Sequence, residues 1–258
     1  MESSSAAMTV IPPFKGDRRM CVFGKAAGLI ASSLLWATMI TPTATVSASP
    51  TRVDQLVRTA LQLDPNTARG AALYDEHCAR CHGPQALGSA TNVIPALAGQ
   101  RRAYLIKQLA DFTELERESP DMHSVVSRAA LAEPQVWSDV AAYLNGLPVV
   151  RFPETGDGQG VELGEAIFQE QCAACHEEDA RGDDDGFVPS LRNQHYSYLV
   201  RQVRSLASWH RSSVDADLVR YLDSLDTDEL TSVADYLSRL RGPTRDRLRM
   251  HDDGTVSD

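Results

Sequence analysis

Four of the five cysteines in this 258-residue chain fall into two matching arrangements, Cys78-Ala79-Arg80-Cys81-His82 and Cys172-Ala173-Ala174-Cys175-His176. Both read C-x-x-C-H. At that spacing two thiols can form thioethers with the vinyl groups of one haem, and the chain direction then carries the adjacent histidine beneath the iron. Three other chemistries use paired cysteines. A four-cysteine zinc ribbon wants its pairs about 15 to 20 residues apart, whereas the first cysteines of these pairs are 94 residues apart. A thioredoxin-like pair expects a βαβ setting, which is missing here. Plain disulfides suit an exported protein but leave the histidine after each pair unexplained. The residues therefore point to two covalently attached haem c groups, held by Cys78, Cys81, Cys172 and Cys175, with His82 and His176 as proximal ligands.

The elements that carry these motifs are repeated. A shift of 94 residues places Gly70 on Gly164, Pro95 on Pro189, Leu97 on Leu191 and Gln100 on Gln194. It also places Tyr104 on Tyr198, Gln108 on Gln202 and Arg117 on Arg211, before the register slips by one and Tyr143-Leu144 meets Tyr236-Leu237. Such a repeat fixes the architecture before any secondary structure is assigned. Apolar residues recur at helical spacing: Val136, Val140 and Leu144 in the first repeat and Leu230, Val233 and Leu237 in the second trace a closing helix. Leu105, Leu109 and Phe112, matched by Leu199, Val203 and Leu206, mark a central helix. Pro134 suits a first helical turn, and Asp226 with Glu229 can form a capping box. The expectation is an all-α chain of two tandem domains, 70–147 and 161–243, joined by a Pro/Gly linker over 148–160. An amphipathic helix over 49–69 precedes them and a polar tail over 244–258 follows.

Residues 1–48 read as a cleavable signal peptide. Lys15, Arg18, Arg19 and Lys25 precede a 15-residue apolar run, Ala26 to Ile40, and Val46-Ser47-Ala48 supplies small residues for cleavage. The run falls short of the ~20 residues that span a bilayer, and an uncleaved anchor is the alternative. Cleavage removes Cys21 and leaves 21 basic against 33 acidic residues, a net charge of -12 compared with -10 for the whole chain. That sign excludes nucleic-acid binding as the main task. Export places the protein in the periplasm.

From Gly70 to Gly242 the chain resembles the dihaem cytochrome c4 family of class I cytochromes c. The likeness rests on both C-x-x-C-H motifs, Ile94-Pro95-Ala96-Leu97-Ala98-Gly99-Gln100, Val188-Pro189-Ser190-Leu191, the Tyr-Leu-x-x-Gln segments and the region Arg117 to Met122. The resemblance implies an electron carrier that cycles Fe(II)/Fe(III) between redox proteins, such as a membrane-bound oxidase or reductase, with no small-molecule substrate. It also implies Met122 as sixth ligand of the first haem, with His123 the alternative next door. The second domain departs from the pattern, because the position matching Met122 is Ala216 and no methionine lies between Met122 and Met250. His210 is the nearest substitute; His195, Met250 and His251 are more remote, and an open sixth position is the other reading. An open second iron would suit a dihaem redox enzyme, the alternative function. The acidic run Glu177, Glu178, Asp179, Asp183, Asp184 and Asp185 is either a solvated face or a docking patch for a basic partner.

Overall fold

The computed structural model of the chain describes residues 51–208, 211 and 214–242, so the expected signal peptide and polar tail lie outside the described residues. Helix α1 (Arg52–Gln62) opens on a capping box in which the Thr51 hydroxyl accepts from the Asp54 N–H and the Asp54 carboxylate accepts from the Thr51 N–H. Its apolar stripe, Val53, Val57 and Ala60, is buried against helices α4 (Arg102–Thr113) and α6 (Pro134–Asn145). The first repeat also contains α2 (Thr67–His77), the single turn α3 (Ala79–His82) and α5 (Pro120–Val126). The second repeat runs α7 (Val161–Ile167), a π-helical turn Phe168–Cys172, α8 (Ala173–His176), α9 (Tyr196–Ala207), α10 (Ala216–Ser224) and α11 (Thr227–Arg239). Among the described residues the only β pairing consists of isolated bridges, one of which joins Arg117 to Arg211 across the repeats.

The first and last helices of each repeat cross where one of them has no side chain. A Cβ on Gly70 would lie 2.2 Å from the Asp139 carbonyl oxygen of α6, and one on Gly164 would lie 2.0 Å from the Ser232 carbonyl oxygen of α11. Only glycine permits backbones that close. One turn on, the crossing is locked by aromatic pairs, Tyr74–Tyr143 at 5.7 Å and Phe168–Tyr236 at 5.6 Å between ring centroids. These crossings aim the ends of α2 and α7 at the two cysteine motifs.

The loop after each motif repeats its left-handed residues in register: Gly83 and Glu177, Ala86 and Ala180, Gly88 and Gly182, Val93 and Phe187, Gly99 and Asn193. Glu177, at φ 68 and ψ 153, holds a conformation that its counterpart Gly83 adopts without a Cβ.

The domains are docked through polar groups that obey the same pseudo-symmetry. Gln194 accepts from the Ala96 N–H (2.9 Å) and donates to the Ala96 carbonyl (3.0 Å), while Gln100 does the same to Ser190 (2.8 and 2.9 Å). Both central helices are capped from outside their own repeat: Asp184 accepts from the Ala103 N–H and Glu154 from the Ser197 N–H. The Pro/Gly segment therefore acts as a packed strap as well as a connection. Asn193 donates to the Val150 carbonyl, and Gly158 donates to Asp235.

Candidate functional site

Each C-x-x-C-H motif sits at the end of a helix that its crossing holds in place. The His82 ring is buried, with Nδ1 3.2 Å from the Pro95 carbonyl oxygen, and His176 has its Nδ1 3.1 Å from the Pro189 carbonyl oxygen. Donation from Nδ1 fixes the tautomer and leaves the Nε2 lone pair as the ligating group, the usual way a second partner orients a metal-bound histidine. Burial lowers the pKa of both rings, against the opposing carbonyl hydrogen bonds, so both are held neutral as an iron ligand must be.

The thiols are unbridged. Burial, reinforced by the companion thiol of each pair, pushes Cys78 and Cys172 up to about 11. Thiol-redox centres need the opposite, a depressed thiol pKa. Among the described residues no three His, Cys, Asp or Glu side chains gather as a metal-binding group, so the two pairs do not come together as a zinc ribbon would require. Beside Cys78 lies an apolar cavity whose lining includes Leu73, Leu109, Val125, Val126 and Trp137. Half-buried Met122 precedes Val125 and Val126 by three and four residues on α5, which places it on their face of the helix. His123 is turned elsewhere, its Nδ1 2.8 Å from the Phe112 carbonyl oxygen.

In the second domain Ala216 begins α10, which is capped by Asp215. His210, Met250 and His251 lie outside the described residues. His195 has both nitrogens engaged: Nδ1 accepts from the Glu154 N–H at 3.2 Å and Nε2 meets the Leu87 carbonyl oxygen at 2.9 Å. It is a clamp between linker and first domain. The acidic run is largely engaged as well, with Glu177 on Arg181, Asp179 on Arg192 and Asp184 on Arg101 and the start of α4.

A buried polar core between the domains was visible in the sequence only as matched letters. Arg117 donates to Gln108, to the Tyr198 hydroxyl at 3.1 Å and to Gln202 at 2.6 Å, and Arg211 donates to Gln108 at 2.9 Å. Burial works to raise the pKa of the Tyr104 hydroxyl, but the guanidiniums of Arg117 and Arg211 outweigh it and hold it below the ordinary value. The Asp111 carboxylate in this cluster is bound by Lys107 at 2.7 Å. Two guanidiniums thus meet here across the repeats, a donor set that suits a group carrying carboxylates.

A paired all-helical fold with a haem-attachment motif and an oriented histidine in each half defines a two-domain c-type cytochrome. The cytochrome c family profile matches residues 67–148 and again 161–241. The "Thiosulfate dehydrogenase electron acceptor" of Stutzerimonas stutzeri (strain A1501) is 32% identical over 70% of this chain and 90% of its own length. A cytochrome c4 of Azotobacter vinelandii is 27% identical over 63% of this chain and 84% of its own. Among solved structures, reduced recombinant cytochrome c4 from Pseudomonas stutzeri superposes with a TM-score of 0.61 at 22% identity, over 69% of this chain and all of that one. Thiosulfate dehydrogenase from Marichromatium purpuratum gives a TM-score of 0.61 at 25% identity, over 70% of this chain and 43% of that one. The chain belongs to the cytochrome c family, as a dihaem electron carrier of the cytochrome c4 type with two covalently bound haem c groups. Among the described residues no helix is long and apolar enough to cross a membrane.

Proposed function

We propose that this protein is a periplasmic shuttle that takes electrons from a soluble redox enzyme and delivers them to a second redox protein, such as a membrane-bound oxidase or reductase. The observation that carries it is the repeated Nδ1–carbonyl bond of His82 and His176, at 3.2 and 3.1 Å, beside paired unbridged cysteines. Bound haem supplies a one-electron Fe(II)/Fe(III) couple. Cys78, Cys81 and His82 hold the first group; Cys172, Cys175 and His176 hold the second. Arg117 and Arg211, at the seam between the domains, would hold the haem carboxylates, and Met122 would ligate the first iron. His210 is the second domain's candidate for that role. The relative named as a thiosulfate dehydrogenase electron acceptor makes a sulfur-oxyanion dehydrogenase the donor to test.

With Met122 as ligand, its thioether would favour the reduced state and set the potential of the first site above that of the second. Spectroelectrochemistry tests this assignment. Met122→Ala should abolish the methionine-to-ferric-iron charge-transfer band and lower only the higher potential. Survival of the band, or movement of the lower potential instead, contradicts it. Mixing oxidised protein with a thiosulfate dehydrogenase and thiosulfate should reduce both haems, and failure to reduce either rejects that donor class.

A further inference from the structure

A cleft of about 220 Å³ opens between the two domains, walled by Arg101, Arg181 and Arg192 together with Gln100, Asn145 and Asn193. Among its described lining residues there is no carboxylate. The acids that hold the arginines stand outside the wall: Asp184 is 3.6 Å from Arg101, Glu177 is 3.3 Å from Arg181 and Asp179 is 3.1 Å from Arg192. Arg192 is only 17% exposed, and its Nε is covered from solvent without a hydrogen-bond partner. Burial lowers the Arg192 pKa, and the Arg101 and Arg181 guanidiniums push it the same way against Asp179. Arg101 also donates to the Arg181 and Gly182 carbonyls, so what faces the cleft is the guanidinium side of these ion pairs, with the carboxylates behind it.

We propose that this interdomain cleft binds a small multivalent oxyanion of the phosphate or sulfate class. Planar guanidinium forks match tetrahedral oxyanions in both charge and donor spacing. The volume lies below the roughly 300 to 1,000 Å³ of sites for drug-sized ligands and suits a compact anion with its waters. Ala96 and Ser190 also line the cleft. They directly follow Pro95 and Pro189, whose carbonyls orient His82 and His176. A bound anion would therefore place negative charge near the carbonyls that orient His82 and His176, which would favour ferric iron in haem held there. This second part rests on the haem-ligand assignment above, whereas binding itself does not.

The test is calorimetric titration of the holoprotein with inorganic phosphate, and separately with sulfate, at constant ionic strength in chloride. One saturable site per chain is expected, weakened by about tenfold or more in Arg192→Gln and in Arg181→Gln. Arg181 is 52% exposed, so its variant keeps the test readable if Arg192→Gln fails to fold. Absence of saturable binding by either anion, or equal binding in wild type and Arg181→Gln, overturns the site. Saturating phosphate should also lower the haem midpoint potentials in wild type and not in a variant that no longer binds. Saturable binding that leaves both potentials unmoved overturns the coupling to the haems while upholding the site.

Discussion

Replacing Gly70 by alanine tests the helix crossing that aims the first haem motif. The new Cβ would meet the Asp139 carbonyl oxygen at 2.2 Å and the Asp139 carbonyl carbon at 2.6 Å, where ordinary contact begins at 3.4 Å. The obstacle is backbone, so no rotamer change relieves it, and α2 must retreat from α6 by about 1.2 Å. Retreat loosens the Tyr74–Tyr143 contact and the burial of Tyr74, which is 1% exposed. Overpacking of this kind costs about 1 to 3 kcal/mol, and the loosened aromatic contact adds about 0.5 to 1.5. Against that, alanine gains about 1 kcal/mol of helix propensity over glycine. The net expectation is a destabilisation of about 2 kcal/mol, a fall in Tm of about 10 °C for a domain of this size. Guanidinium unfolding of the holoprotein, followed by far-ultraviolet circular dichroism and by the Soret band, measures it. Gly164→Ala, with a 2.0 Å approach to Ser232, should cost the second domain at least as much. Unchanged stability, or the gain of about 1 kcal/mol that propensity alone gives, refutes the reasoning.

Three further substitutions probe other contacts. Glu177→Gly should stabilise the second domain by about 1 kcal/mol, because it relieves a non-glycine residue at φ 68, ψ 153 and loses only an exposed ion pair with Arg181; a loss of stability in a denaturant titration would show that the ion pair outweighs the strain. Burial works to raise the Asp139 pKa, but bonds from Arg69, the Asn66 N–H and Gln135 outweigh it and depress it, so this carboxylate stabilises the fold above the ordinary aspartate range and stops doing so as the pH falls through its depressed value. Asp139→Asn should therefore cost about 1 to 3 kcal/mol at pH 7, the half-exposed Arg69 discounting the buried-pair figure, with the gap from wild type closing below about pH 4; a constant gap would be evidence against ionised Asp139 as the source. His195→Ala should raise hydrogen exchange of the Glu154 amide in the strap over residues 150–156, and unchanged protection there would show that the clamp is not what holds the strap.

The chemistry was legible because it is local. C-x-x-C-H carries its geometry within five residues, and the repeat declared two copies of it. Helix faces were legible for the same reason: Val140 and Leu144, and Leu230, Val233 and Leu237, are all buried where the periodicity placed them, and the Asp226–Glu229 capping box forms. What the sequence hid is non-local. Arg117 and Arg211 appeared as a matched pair, yet nothing in the spacing said that they meet across the pseudo-symmetry axis, because that depends on how two domains dock. The linker read as a break in structure, and no helix forms over 148–160. Its role as a strap depends on Glu154 reaching the start of α9, more than forty residues further along the chain. The acidic run looked like a charged surface until Arg181 and Arg192 were found to engage it from its own loop region and Arg101 from the other repeat.

The most direct test of the account is the intact mass of the purified, denatured holoprotein together with two double variants. Each chain should carry two haem masses that survive denaturation. Cys78→Ser/Cys81→Ser and Cys172→Ser/Cys175→Ser should each retain one, with the remaining site still reducible by dithionite. A single haem in the wild type, haem lost on denaturation, or zinc in place of either group would contradict it.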